Sequence, residues 1–283
     1  MISVKGIEKS FFGKKVLQGV SFEVSEGSIY GLIGKNGAGK TTLMKIMTGL
    51  LGADAGSCFF GKEECRIGYL PDLPGFYEYL TTDEYLDFLL FDKNPIRRNK
   101  LLEMVSLAPG LRIKTMSRGM RQRLGIAAVL VNDPQVVLLD EPTSALDPAG
   151  RSDVKEILLR LKKEGRTIIL STHILADMDS ICDRAGFLHN GVIVREVDMN
   201  ENRESAAGMV IRFASEPDLK TLSGYINPIY KVDPLTIRLD FSKENKQESQ
   251  QNILKGLSVL PQEITSIRTT EQSLDQIFRE VCQ

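Results

Sequence analysis

The sequence has no apolar run approaching the about 18 residues that a membrane-crossing helix needs, so no transmembrane segment is expected. Histidine is scarce, with two residues in 283, and the four cysteines (Cys58, Cys65, Cys182 and Cys282) form no CxxC pair. A structural zinc site is therefore disfavoured, and reduced thiols in a cytosolic protein are the expectation. An excess of charge is missing too: the net charge is −1, which removes any bulk electrostatic attraction to nucleic acid. Short basic clusters at Arg97-Arg98 and at Arg118, Arg121 and Arg123 read as solvated surface. Lys5, Glu8 and Lys9 stand where a signal peptide would keep an apolar core, which argues against export of the chain itself. What is present, 42% hydrophobic and 26% charged residues, is ordinary for a soluble globular protein of one large domain or two smaller ones.

The stretch that organises the chain is Gly34-Lys35-Asn36-Gly37-Ala38-Gly39-Lys40-Thr41-Thr42, which fits the phosphate-binding pattern G-x-x-x-x-G-K-[ST]. Ile29–Ile33 before it is a short apolar run that reads as a buried strand. Leu43, Ile46, Met47 and Leu50 after it recur at the spacing of a helix packed on a sheet. In that setting the glycines let successive backbone N–H groups curl around a phosphate, and the helix N-terminus adds partial positive charge. Lys40 would reach the β- and γ-phosphates, and Thr41 would place its hydroxyl on Mg²⁺. The expectation is a nucleoside triphosphate site.

Residues 2–30 read as short strands, with Ile2 and Val4, then Val20, Phe22 and Val24, alternating with polar residues. Between them, the aromatics of Phe11-Phe12-Gly13 suit either a core or the face of a nucleobase. Arg66–Pro71 reads as a strand ended by proline. Thr81 with Glu84 forms a capping-box pattern ahead of an apolar helix, and Pro95 opens a second helix carrying Leu101, Leu102 and Val105. These helices form an inserted unit over about residues 73–116, reaching about 125 with the start of the helix capped by Ser117. Val136–Leu139 reads as a central strand buried on both faces, ending at Asp140-Glu141-Pro142. Carboxylates at such a strand end can hold Mg²⁺ through its waters (Asp140) and polarise an attacking water (Glu141), or form a solvated acidic turn. Asp147-Pro148 starts a helix that Gly165 ends. Thr167–Thr172 is the next strand, with His173 directly after it, and His189 before Asn190-Gly191 reads as the surface of a hairpin turn.

These motifs, in this order, resemble the ATP-binding subunit of ABC transporters over about residues 1–200. Gly34–Thr42 is similar to that family's Walker A, Val136–Glu141 to its Walker B with the catalytic glutamate, Ser144-Ala145-Leu146-Asp147 to its D-loop, and His173 to its switch histidine. Phe11 falls at the adenine-stacking aromatic, and Ser117-Arg118-Gly119-Met120 sits where Leu-Ser-Gly-Gly-Gln belongs. There, Arg118 replaces the first glycine and Met120 the glutamine. Asp72 stands at the Q-loop position, usually Gln.

The resemblance implies an α/β fold: a P-loop NTPase (RecA-like) core with N-terminal antiparallel strands and an inserted helical subdomain. It implies a Mg²⁺-dependent ATPase. Phe11, Gly34, Asn36, Gly37, Ala38, Gly39, Lys40, Thr41, Thr42 and Asp147 would hold ATP, with Ser117, Arg118 and Gly119 gripping the γ-phosphate bound by a second subunit. Thr41, Asp140 and Asp72 would lie on the metal side, and Glu141, His173 and Lys40 would carry the chemistry. The partners implied are a second nucleotide-binding subunit, identical or not, and a separately encoded membrane-spanning permease, with the chain peripheral on the cytoplasmic face and no nucleic acid involved. Phe76, Tyr77 and Tyr79 are candidates for docking on the permease or for core packing.

Residues 206–283 read differently from residues 1–205. Their β-α-β-β-α-β order suggests a small ferredoxin-like α+β unit. The ending Glu271–Phe278 is similar to the tail of ATPases that drive ABC-2-type exporters. Two other readings stay open. A soluble ATPase of the same superfamily, acting on DNA or ribosomes, would ordinarily carry a coiled-coil or zinc insertion, or a second nucleotide-binding domain. A non-hydrolysing ATP-binding subunit is the other.

Overall fold

A computed structural model describes residues 1–61, 64–90, 92–144, 146–175, 180–199, 206–226, 229–240, 246–271 and 274–281. It divides into two compact units, Met1–Met199 with Phe278–Gln283, and Asn200–Ile277. The boundary read from sequence at 205/206 adjoins residues 200–205, which lie outside the described residues; Ala145 and Cys282 lie outside them too.

In chain order the first unit contains β1 (Ile2–Phe11), β2 (Lys14–Val24), β3 (Ile29–Ile33), α1 (Lys40–Met47), β4 (Ala55–Phe59), β5 (Ile67–Leu70), α2 (Thr82–Leu89), α3 (Pro95–Met104), α4 (Arg118–Leu130), β6 (Val136–Leu139), α5 (Pro148–Lys163), β7 (Thr167–Thr172), β8 (Arg184–His189) and β9 (Val192–Asp198). A six-stranded sheet runs β5-β6-β7-β3-β8-β9, parallel except for β9. An antiparallel sheet, β2-β1-β4, accompanies it. β1 and β2 are full strands of 10 and 11 residues, longer than the short strands expected, because register shifts along β1 let it bend without ending. β3, β6 and β7 are buried along their whole length, as the apolar runs of β3 and β6 and the Ile168–Leu170 run of β7 lead one to expect.

One core cluster joins Leu43, Met44 and Met47 of α1 to Leu32, Leu138 and Ile169 of the large sheet and to Val4, Val20 and Phe22 of the small one. The expected stripe stops one residue early. Gly49, at φ 74°, ends the turn after Thr48, and Leu50 is left exposed. In the helical unit, Glu84 Oε2 accepts from Thr81 N at 2.8 Å, and Asn94 caps α3 ahead of Pro95. Leu101, Leu102 and Val105 are buried.

The second unit has β10 (Ala206–Phe213), α6 (Leu219–Ser223), β11 (Ile229–Asp233), β12 (Thr236–Asp240), α7 (Lys246–Ser258) and β13 (Ile264–Glu271); α8 (Leu274–Val281) follows, its residues from Phe278 on belonging to the first unit. Its sheet runs β11-β12-β10-β13, antiparallel throughout. That order and the β-α-β-β-α-β sequence are those of a ferredoxin-like unit. Ile211, Phe213, Ile237 and Leu239 of the sheet pack with Leu222, Ile253 and Leu257 of α6 and α7. Among the described residues no helix is long and apolar enough to cross a membrane.

Candidate functional site

Strand register assembles the site. Ile33 lies opposite Thr172, and Leu139 opposite Leu170. The residues that follow β3, β6 and β7, namely Gly34, Asp140-Glu141 and His173, therefore emerge together at the carboxyl ends of parallel strands, where ligands sit in open α/β sheets. Gly34 N donates to Thr172 O at 3.3 Å and Asp140 N to Leu70 O at 2.8 Å, tying the strand ends to one another.

The loop from Gly34 to Gly39 turns tightly into α1. Gly39 has φ 109°, and a Cβ there would lie 2.7 Å from Leu17 Cδ2 and 3.1 Å from Val16 O. Only glycine fits against β2 at that point. Asn36, Gly37 and Thr41 are exposed, Ala38 and Thr42 half-buried, and α1 has no acidic residue in its first turn to occupy the helix N-terminus. Lys40 is buried at 6% exposure. Its ammonium donates to Gly34 O at 2.7 Å and Lys35 O at 3.3 Å, and sits 3.1 Å from Glu141 Oε1. The other oxygen, Glu141 Oε2, is 2.8 Å from His173 Nδ1. Lys40, Glu141 and His173 thus form one continuous polar chain.

Glu141 occupies the left-handed region at φ 51°. A non-glycine residue there marks stored strain, and such strain gathers where a side chain must be aimed. Asp140 is fully buried. Its Oδ1 accepts from Ser171 Oγ at 2.5 Å, and Ser171 Oγ accepts from Glu141 N at 2.9 Å. Asp140 Oδ2 is buried without a hydrogen-bond partner among the described residues. An anionic oxygen in that state is costly unless a donor or cation meets it, so the residues fit a hydrated divalent ion. Ser171 was not singled out from the sequence. A serine in an otherwise apolar buried strand, one register step from Asp140, is the signal that could have found it.

The other expected residues are distributed as follows. Phe11 ends β1 with Lys9 Nζ 5.6 Å from its ring centroid, whereas Phe12, at φ 49°, is fully exposed at the β1–β2 turn. β2 leaves that turn toward Val16 and Leu17, which abut Gly39. Of the two rings Phe12 is the freer, although the resemblance had pointed to Phe11. Ser117 caps α4, accepting from Met120 N at 3.2 Å; it and Arg118 are exposed, and Gly119 lies near Leu146. Asp147 caps α5, accepting from Gly150 N at 3.0 Å. Asp72, exposed, accepts from Ser144 Oγ at 3.3 Å. The Phe76 ring packs on Tyr85, while Tyr77, Tyr79 and Phe88 are exposed around a groove of about 550 Å³ also lined by Leu80, Glu84, Asp87 and Lys93.

Residues 17–144 match the ABC transporter family. The chain is 33% identical to the bacitracin transport ATP-binding protein of Enterococcus faecalis, over 99% of this chain and 96% of that protein. An uncharacterized ABC transporter ATP-binding protein of Synechocystis is 44% identical over 63% of this chain, and the chain spans about half of that protein's length, 55%. A solved dimeric structure of a bacterial ABC transporter cassette superposes with TM-score 0.64 at 25% identity, over 70% of this chain and 99% of that one.

Proposed function

This chain belongs to the family of ABC transporter ATP-binding proteins, and we propose that it hydrolyses Mg²⁺-bound ATP at a site shared with a second cassette to power a separate membrane permease, acting in export. The observation that carries the reading is the polar chain Lys40–Glu141–His173, with distances of 3.1 and 2.8 Å, at the mouth of a glycine loop. Phosphates would displace Glu141 from Lys40, whose ammonium then neutralises them. The freed Glu141 would accept a proton from the attacking water, with His173 holding its second oxygen. Asp140 and Thr41, with Asp72 nearby, would hold Mg²⁺ through its waters, and the ion would supply charge neutralisation on the phosphates.

Ser117, Arg118 and Gly119 are exposed at the N-terminus of α4, which suits contact with the nucleotide of a partner cassette. The dimeric cassette with the same fold supports that pairing. The exposed ring of Phe12 would take the adenine. The Tyr77–Tyr79–Phe88 groove would receive the permease on the cytoplasmic face of the membrane; an exposed aromatic cluster of this kind favours a protein partner. Export as the direction rests on the resemblance of Glu271–Phe278 to the tail of exporter ATPases; the Enterococcus faecalis relative is named for bacitracin transport.

Affinity purification of the tagged chain from detergent-solubilised native membranes tests this. A polytopic membrane protein recovered in stoichiometric amount is expected. Recovery only from the soluble fraction, with ribosomes or DNA, would overturn the coupling to transport while leaving the ATPase site in place.

A further inference from the structure

Tyr69 is the third residue of β5 and lies opposite Leu138 in register. Side chains alternate along a strand, so Leu138 and Asp140 share one face of the sheet, and Tyr69 shares it with them one strand away. That diagonal separation is within reach of a tyrosine side chain. The Tyr69 ring packs on the core cluster that includes Leu138, while its hydroxyl is buried without a well-aligned hydrogen-bond partner among the described residues. Asp140 Oδ2 is buried in the same condition. Two buried orphan atoms, one a donor and one an anionic acceptor, thus lie on one face of adjacent strands.

We propose that Tyr69 is a positioning residue for the metal-side carboxylate: its phenol donates to Asp140 Oδ2 when the nucleotide site closes, leaving a second lone pair of that oxygen for the hydration shell of Mg²⁺. The inference rests on the role given to Asp140 in the proposed function. Ser171 already fixes Oδ1 at 2.5 Å, and a donor on Oδ2 fixes the remaining rotation of the carboxylate. Hydrogen bonds of this kind are commonly long in a ligand-free site and tighten when it fills. A phenol keeps its proton at neutral pH and so is available as a donor. Asp72 connects the pair to the loop beyond: its carboxylate accepts from Ser144 Oγ at 3.3 Å, and Ser144 N donates to Glu141 O at 3.2 Å. The Asp72–Ser144 bond thus ties the loop after β5 to the loop after β6, as Asp140 N to Leu70 O ties the strand ends, and a shift of the Asp72 loop would be felt at Asp140 through Tyr69.

Tyr69→Phe keeps the ring and its packing and removes only the hydroxyl. Mn²⁺ is the probe, its free concentration followed by electron paramagnetic resonance in the presence of ATP, with Glu141→Gln in every sample to prevent turnover. The expected result is an about 10-fold weaker Mn²⁺ affinity for Tyr69→Phe, with ATP binding in EDTA and the Tm unchanged. Adding Tyr69→Phe to Asp140→Asn should produce no further loss of Mn²⁺ affinity. An unchanged Mn²⁺ affinity in Tyr69→Phe would overturn the proposal. So would an equal loss of ATP affinity with and without metal, since that pattern marks packing alone. If Asp140→Asn by itself left Mn²⁺ affinity intact, the metal-side role of Asp140 would fall, and this proposal with it.

Discussion

Replacing Glu141 with glutamine separates its two tasks. In the nucleotide-free protein Glu141 is the counter-charge of Lys40 at 3.1 Å, with side-chain exposures of 10% and 6%. Removing one partner of a buried ion pair costs about 3–5 kcal/mol. Here the loss is smaller, because Lys40 keeps Gly34 O at 2.7 Å and Lys35 O at 3.3 Å, and the amide keeps an acceptor oxygen. About 1–3 kcal/mol, the range for a charged hydrogen bond lost in part, is the resulting estimate. At about 2–4 °C per kcal/mol for a domain of this size, the nucleotide-free Tm should fall by several degrees. ATP supplies Lys40 with phosphate charge in place of the carboxylate, so saturating Mg²⁺·ATP should restore most of that loss. Hydrolysis should fall by about 10²–10⁴, the usual contribution of a general base, or about 2.7–5.4 kcal/mol of barrier. With ATP bound and not consumed, the variant should elute as a dimer in Mg²⁺·ATP. Phosphate release, thermal melts with and without nucleotide, and gel filtration read the three effects. Wild-type rates of phosphate release in Glu141→Gln would refute the general-base role, and an unchanged nucleotide-free Tm would refute the ion-pair reasoning.

Three further outcomes are expected. Phe12→Ala should weaken ATP binding by about 1–3 kcal/mol, the worth of a base stacked on an aromatic ring, and Phe11→Ala by less, as measured by calorimetry; the reverse order would return the adenine to Phe11. Gly39→Ala should cost about 1–3 kcal/mol in backbone strain and weaken nucleotide binding, because its Cβ would meet Leu17 and Val16, whereas Gly52→Ala, with nothing within 4 Å, should do neither. The Asp133 carboxyl is held below the usual range, chiefly by its hydrogen bond to Arg166. A depressed folded value stabilises above about pH 4 and is lost as pH falls through that folded value. Asp133→Asn should therefore lower stability at pH 7 by less than about 1 kcal/mol given its exposure, seen as a lower Tm, and the gap to wild type should close in acid. A gap that stays constant from pH 7 to pH 3 would contradict this.

The glycine loop, the two carboxylates and His173 were legible because each follows a strand with an apolar centre, and parallel register brings those strand ends together. Helix starts at Ser117 and at Asp147-Pro148 were legible for a similarly local reason, a short polar side chain beside orphan N–H groups, whereas the Asn94 cap ahead of Pro95 emerged only from the structure. Less local features were hidden. Ser171 and Tyr69 look like ordinary strand residues until register places both beside Asp140. Leu50 fits the period of α1 and is exposed nonetheless, since a left-handed Gly49 ends the helix first. The choice between Phe11 and Phe12 depends on which residue of a β-turn takes positive φ, and adjacent identical side chains carry no sequence signal for that. In the second unit the β-α-β-β-α-β order was readable along the chain, and the strand order β11-β12-β10-β13 emerged only from the pairing.

The most direct test of the account is phosphate release from ATP by the purified wild-type chain and by Lys40→Ala, with and without Mg²⁺. The account predicts Mg²⁺-dependent release by the wild type, and its loss in Lys40→Ala together with weakened ATP binding. Release at the wild-type rate by Lys40→Ala would contradict the assignment of the Gly34–Thr42 loop as the nucleotide cradle.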